Sequence, residues 1–441
     1  MNRRHARAHR TRPWGSLLVS GVVAAAVAAS TAVALQPGDA APQAAQQPTP
    51  SSSTLPSTGS VTPEPTAPAP LPSSEPAPLP DAEFTIVAAG DVLPHVPVLR
   101  SAGSGDGYDF SPLLAALDPW IAGADLALCH FEVPVAPAGV APSGYPLFGT
   151  VAQLVEDLAG QGWDGCSTAS NHSVDRGFAG LTATLDAFDA AGLGHVGTAR
   201  TEGEALQPQL YDLERSGQTI TVAQLAATYG TNGLPVPADA PWSVQLVDAD
   251  QLVEQARAAR EGGADLVVVS AHIGTEYRTA PTPEQVELAT ALAASGEIDL
   301  YIGHHAHVPQ PIELLGGGRD GAGMWVAYGL GNMISNQDAG CCVAESASGL
   351  LLTARVVKPS DGPARVAAVE WTGVSVDRVA GHRMQLLHDA AATGAGTLST
   401  AQWQARYDAL REAVGAQAPE RTTPASATGD AATVVPRMPP G

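Results

Sequence analysis

Positive charge is scarce in this chain. Its 441 residues carry 22 lysines and arginines against 44 aspartates and glutamates, a formal net charge of −22. That balance excludes nucleic acid as a partner, because a nucleic-acid interface needs a basic face. It also excludes holding a polyanion by bulk attraction, so an anionic substrate must be gripped locally. Cysteine is nearly as scarce, with four residues at 129, 166, 341 and 342. Cys129 and Cys166 can pair, vicinal Cys341 and Cys342 bridge only with strain, and four cysteines allow three connectivities. Large apolar residues are almost missing from 36–82, a stretch of Pro, Ser, Thr and Ala. Such a segment cannot bury a core and reads as an extended, disordered spacer.

Acidic residues are absent from the first fourteen positions, MNRRHARAHRTRPW, which hold five arginines. The apolar run Gly15–Leu35 follows. A basic start before about 20 apolar residues predicts an export segment at 1–35, either a cleaved signal peptide or a retained membrane anchor. No cysteine follows the run, which argues against a lipid-attached cysteine there. The expected location is the cell surface or the extracellular space, on a membrane or secreted.

What remains divides into a head at 83–383 and a segment at 384–441, expected to be helical and then disordered from Gln417 onward. The head alternates strand and helix patterns. FTIVAAGDV, ADLALCHFEVPV, WDGCSTASNH, DLVVVSAHIG and IDLYIGHHAH read as strands, the last two as strands buried on both faces. TPEQVELATALAASG predicts a helix with a capping box at Thr282–Gln285, Pro283 in the first turn and Gly296 as its stop. Ser111 before Pro112 is an expected helix cap. Ser216-Gly217 marks a hairpin turn. MWVAYGLGN, GLLLTARVV and ARVAAVEWTGVSV are strands without helices between them. The fold class is α/β: a layered arrangement of mixed sheets with flanking helices, antiparallel towards its end.

Metal-capable side chains fall at the ends of five of these strands: Asp91, Glu132, the pair Asn171-His172, His272, and then His305 and His307. Each has a bland alternative. Gly-Asp after a strand is commonly a turn, Asn171 could cap the next helix, and a histidine in an apolar strand is commonly a hydrogen-bonded core residue. Five coincidences at successive strand ends favour one site, since open α/β sheets bind ligands at that edge. Carboxylates, imidazoles and an amide oxygen suit one or two divalent ions such as Mn, Zn or Fe.

The series GDV, HFEVPV, SNHSVDRG, AHIGTEY, GHHAHVPQPIE and YGLGNMI resembles the CapA family of poly-γ-glutamate capsule-synthesis proteins, from about Phe84 to Gln337. That resemblance implies a calcineurin-like metallophosphoesterase fold. It implies Asp91 and His307 at one ion, Asn171, His272 and His305 at the other, and Glu132 nearest to bridging. His172 and Asp175 become the catalytic pair. Glu276 and Asn332 match further motif positions and, with His130, Arg176 and Arg278, are the expected substrate contacts. The sequence departs from the pattern in three places. Leu93 stands where the wider pattern has a histidine, leaving one ion position short of a ligand. His130 stands for an asparagine and Ser170 for another. His304 is expected to face solvent or an outer shell. The implied function is a metal-dependent hydrolase of a phosphoester or amide in surface-polymer synthesis. Its partners would be a surface polymer or small anionic substrate, the membrane and capsule-assembly proteins. A non-catalytic component of a polymer export or attachment complex is the alternative, and a secreted nucleotidase or sugar phosphatase sharing only the fold is a third.

Overall fold

Alternation inside the apolar runs builds the layers. In the strand Ala82–Leu93, Phe84, Ile86 and Ala88 face one way while Val87 and Ala89 face the other, and all five are buried. Leu126–Phe131 splits likewise into Leu126 and Leu128 against Ala127, Cys129 and Phe131. Leu266–His272 splits into Leu266 and Val268 against Val267, Val269 and Ala271. The first set from each strand meets in one core between two sheets. The second sets pack under helices, among them Gln153–Gln161 on one side and Ala249–Glu261 and Pro283–Ser295 on the other. Strands with no polar face must be covered twice, so the arrangement is helix, sheet, sheet, helix.

The computed structural model describes residues 79–437. The expected export segment and nearly all of the spacer lie outside them. Among the described residues no helix is long and apolar enough to cross a membrane. The mixed sheets expected from sequence number two, besides a two-stranded ribbon at Gly103–Ser104 and Gly107–Tyr108. One runs Arg383–Leu386, Arg365–Asp377, Ser348–Lys358, Ala82–Leu93, Leu126–Phe131, Gly165–Ser167, Gly194–Val196, with Asn332–Ser335 beside the end of Ala82–Leu93. The other runs Ile312–Leu315, Met324–Ala327, Leu300–His304, Leu266–His272, Gln218–Thr228, Gln209–Arg215, Thr433–Val435. Each has a parallel centre with antiparallel strands at an edge. The carboxyl ends of both parallel centres open on the same place.

Several local readings hold. Thr282 and Gln285 form the reciprocal capping box, and Gly296 ends that helix in the left-handed region. Ser216 and Gly217 turn the hairpin, both at positive φ. Cys129 is disulfide-bonded to Cys166 on the adjacent strand, one of the pairings left open, and Cys341 to Cys342, the vicinal bridge that was the less expected one. Ser111, however, lies inside its helix and caps nothing. Asp109 takes the part instead, its Oδ1 accepting from the Ser111 amide at 3.0 Å.

The largest departure is the carboxyl-terminal segment. Residues 417–437 are laid against the domain rather than disordered. Thr433–Val435 pairs with the edge strand Gln209–Arg215. The Thr428 amide donates to Asp125 Oδ1 at 2.6 Å, and Arg437, only 5% exposed, donates to the carbonyls of His195 and Thr198. Composition registers too little apolar surface to fold. It does not register the open row of backbone groups that an edge strand offers.

Asp164 supplies a stability prediction. Its Oδ2 accepts from the Ala127 amide at 2.7 Å. Burial lifts its pKa from 3.8 to about 7 against the pull of that hydrogen bond. The folded state therefore holds a proton that the unfolded chain releases, and stability falls as pH rises from about 4 to about 7. Asp164→Asn, which keeps an acceptor for Ala127, is expected to melt higher than the parent above pH 7, by about 2–4 °C per kcal/mol released. Thermal melts across pH check it, with the gap closing towards pH 4.

Candidate metal centre

The same alternation that fills the core delivers the site. Leu126 and Leu128 are followed on the inner face by His130, Leu266 and Val268 by Ser270 and His272, Leu300 and Ile302 by His304. Asp91 would point the wrong way without a bulge. Ala88 pairs with Leu128 but Asp91 with His130, so one extra residue on the first strand swings the carboxylate inward. Gly90 permits this. A Cβ there would overlap the carbonyl oxygen of Gly331, to which the Asp91 amide donates at 2.9 Å.

Asp91 is the hub. Its Oδ2 lies 3.0 Å from His307 Nδ1 and accepts from the His305 amide at 3.2 Å, while Oδ1 lies 3.2 Å from His304 Nδ1. Glu132 Oε1 is 3.5 Å from His307 Nε2 and 3.9 Å from His272 Nε2. His272 Nε2 is 3.0 Å from Asn171 Oδ1. The His305 ring sits 4.7 Å from that of His272 and 6.1 Å from that of His307. His305 and His307 both hold left-handed backbone, at φ 81° and 56°. Such conformations persist in non-glycine residues only where the surroundings enforce them.

The centre is buried and its charges are interdependent. Burial pushes Glu132 well above the carboxylate range, with His307 opposing. Burial also disfavours the His307 imidazolium, yet Glu132 and Asp91 lift it to about 10. Asp91 stays well below its usual range because hydrogen bonds from His304 and His307 outweigh its own burial. Burial, with neighbouring histidines, drives His130 and His272 well down and His305 to about 3. Neutral imidazoles are the ligand form.

The residues fit divalent ions. Both Glu132 oxygens, His304 Nε2 and His305 Nδ1 are buried without a hydrogen-bond partner among the described residues. Each such orphan costs about 1–3 kcal/mol, more for a charge, and a cation removes the cost. Three donor groups have ligand atoms within 4.8 Å of one another: Asp91–Glu132–His307, Glu276–His305–His307 and Asp91–His130–His304.

Beside the centre lies a cleft of about 410 Å³, lined among others by Leu93, His172, Asp175, Glu276, Tyr277 and His307. His172 Nδ1 is 2.7 Å from Asp175 Oδ2, which also accepts from the Phe148 amide at 2.7 Å. That leaves His172 Nε2 for proton exchange. The expected metal residues Asp91, Glu132, Asn171, His272, His305 and His307 all come together here, and Glu276 stands at the rim.

Four expected substrate contacts lie elsewhere. His130 is buried within the donor cluster, bonded to Ser167 and His272. Asn332 is also buried. Its Oδ1 is 3.1 Å from His307 Nδ1 and its amide donates to His307, Gln337 and Ser346, so it braces a histidine. Arg176 donates to the carbonyls of Phe148 and Leu147, bracing the cleft wall. Arg278 is exposed and does not line the cleft. His304 does not face solvent: it is 2% exposed, stacked on His130 at 4.1 Å. Strand parity carries it inward, a signal the sequence contained. Leu93 fills the expected histidine position. His95 does not replace it, since its Nδ1 turns to the Leu93 carbonyl at 3.0 Å. Sequence reasoning missed Ser167, Asn232 and Gln337, polar residues that no metal-ligand pattern marks.

The family model for the bacterial capsule synthesis protein PGA_cap matches residues 85–337. The capsule biosynthesis protein CapA of Bacillus anthracis is 31% identical over 189 residues, 42% of this chain and 43% of that protein. The PGA biosynthesis protein CapA of Bacillus subtilis is 31% identical over 172 residues, 39% and 42% of the two chains. A probable polyglutamine synthesis accessory protein of Mycobacterium tuberculosis is 31% identical over 183 residues, 39% and 45%. The match thus spans less than half the length of these relatives. Among solved structures, the NAD nucleotidase of Haemophilus influenzae overlays with a TM-score of 0.43 and 13% identity, covering 78% of this chain and 58% of that one. The calcineurin-like phosphoesterase YfkN of Bacillus subtilis overlays with a TM-score of 0.40 and 14% identity, covering 75% and 98%.

Proposed function

The chain belongs to the bacterial capsule synthesis protein PGA_cap family, and from that premise we propose an exported accessory protein of surface-polymer synthesis that hydrolyses a phosphoester or amide. The observation that carries the proposal is the buried Glu132 carboxylate, without a hydrogen bond among the described residues and set between His307 and His272 beside the cleft. Asp91 and His307 would hold one divalent ion, Asn171, His272 and His305 a second, with Glu132 between them. When bound, such ions polarise an oxygen of the scissile group and acidify water. The chain does the rest. Asp175 fixes the His172 ring, and His172 Nε2 gives a proton to the leaving group. Asn332 and Asp91 hold His307 in register, and Phe148 and Leu93 wall the cleft against bulk water. The protein would act at the cell surface, tethered through its amino-terminal segment or secreted, among the proteins that assemble the polymer.

His172→Ala is expected to lower kcat by about 10²–10⁴-fold while leaving metal content unchanged. Turnover of phosphodiester and γ-glutamyl substrates, with metal analysis of the same samples, checks it. Equal turnover by the variant would end the assignment of His172 as proton donor.

One observation favours a second reading, a metal-stabilised but non-catalytic part of the assembly. Among the described residues lining the cleft none is lysine or arginine, so an anionic polymer finds no such side chain there to grip it. Restoring the polymer of a deletion strain with His172→Ala protein would select this reading. Failure to restore it, with the protein folded and loaded, would select the hydrolase.

A further inference from the structure

His130 has no role in the reading above, yet it lies in the middle of a hydrogen-bonded chain. Ser167 Oγ is 2.7 Å from His130 Nδ1, His130 Nε2 is 2.8 Å from His272 Nδ1, and His272 Nε2 is 3.0 Å from Asn171 Oδ1. All four side chains are buried. Two ring nitrogens 2.8 Å apart share a single proton, and buried imidazoles with no carboxylate oxygen at hydrogen-bond distance among the described residues are neutral. Each therefore carries one proton, with one donor and one acceptor nitrogen.

The end of the chain sets its direction. Asn171 Nδ2 donates to Asn232 Oδ1, so Asn171 Oδ1 faces His272 and can only accept. Without an ion the proton of His272 sits on Nε2. Its Nδ1 accepts from His130 Nε2, and His130 Nδ1 accepts from the Ser167 hydroxyl. To ligate an ion, His272 must present a bare Nε2. Its proton is then on Nδ1, His130 must accept at Nε2 and carry its own proton on Nδ1, and Ser167 Oγ accepts. Every hydrogen bond between these four groups except the one the ion replaces survives, with its direction reversed.

We infer that His130 is a positioning residue that exchanges tautomers as an ion binds, holding His272 in one orientation in both states. The protons balance. The Nε2 proton of His272 leaves to solvent, that of His130 passes to His272 Nδ1, and the Ser167 hydroxyl proton passes to His130 Nδ1. Ser167 takes a replacement from solvent, so the relay has no net uptake. A side-chain amide at position 130 would have to turn over to make the same exchange, whereas an imidazole only relocates a proton. The stack on His304, whose Nδ1 faces Asp91 Oδ1, keeps the ring from rotating.

The inference rests on the reading of Asn171 and His272 as ion ligands, and the test separates the two. Long-range 1H–15N correlation spectra of the full chain, with the signals assigned through variants, should show both rings as Nε2–H after chelation and both as Nδ1–H at saturating Zn²⁺. Zn²⁺ titration of His130→Ala should give binding about 10–100-fold weaker than the parent, the usual effect of losing a group that orients a ligand. His130→Asn, which offers both an acceptor and a donor, should lose less. The inference is overturned if His272 changes tautomer while His130 does not, or if His130→Ala binds Zn²⁺ as tightly as the parent. Should His130→Ala not fold, the parent spectra and His130→Asn decide. A parent protein that takes up no Zn²⁺ overturns the metal reading itself, before any variant is compared.

Discussion

His307→Ala is expected to abolish ion binding at the Asp91 position and to reduce turnover by about 10²–10³-fold, the scale seen when a single transition-state donor is removed. Among the described residues His307 alone pairs with both carboxylates, at 3.0 Å from Asp91 and 3.5 Å from Glu132. Without an ion the histidine matters for stability too. Its pKa rises from 6.5 to about 10 in the fold, where the two carboxylates overcome the cost of burial. A raised imidazole pKa contributes stability that is complete below about 6.5 and is lost as pH climbs through 10. The chelated parent should therefore weaken between those limits, and the chelated variant should melt lower at pH 6 yet lose little more by pH 10. Metal analysis, turnover and pH-dependent melts of one preparation check all three. A variant that keeps its metal and its rate would remove His307 from the centre.

Gly90→Ala carries the second large effect. The added methyl would meet not a movable side chain but the carbonyl of Gly331, with the Leu330 carbonyl close behind. One of two backbones must shift. One carries Asp91 and the other Asn332, the brace of His307, and the two strands are in parallel register there. The expected loss is at least about 3 kcal/mol, the top of the common range for single substitutions. Protein that still folds should also bind metal poorly, because the bulge that aims Asp91 depends on this close approach. Urea unfolding and metal titration read the two effects separately. A stability within about 0.5 kcal/mol of the parent, typical of unconstrained surface sites, would mean that the strands part without cost.

Much of this was legible in the sequence because it depends on short-range chemistry. Apolar runs such as DLVVVSAHIG announced strands covered on both faces. Thr282, Pro283, Gln285 and Gly296 wrote a helix start and stop that the structure reproduces. The site residues could be picked out because ligand-forming side chains recur at strand ends. Of the two places open to His304, solvent and an outer shell, following the alternation of Leu300 and Ile302 to the next inward position selects the second, against Asp91. Arg176 was misjudged. Proximity in sequence to Asn171 and His172 said nothing about the Leu147 and Phe148 carbonyls, which arrive from a separate loop.

What the sequence alone determined is the identity of the strands, the acidic character of the surface and the set of donors for an ion. Those follow from side-chain polarity and spacing within a dozen residues. Only tertiary structure decided that the strands form two sheets facing each other, and that 417–437 dock along a sheet edge. Only it decided that an extra residue after Ala88 turns Asp91 inward. Each of these depends on which backbone groups remain unpaired once distant segments meet, and that information is not local to any stretch of the chain.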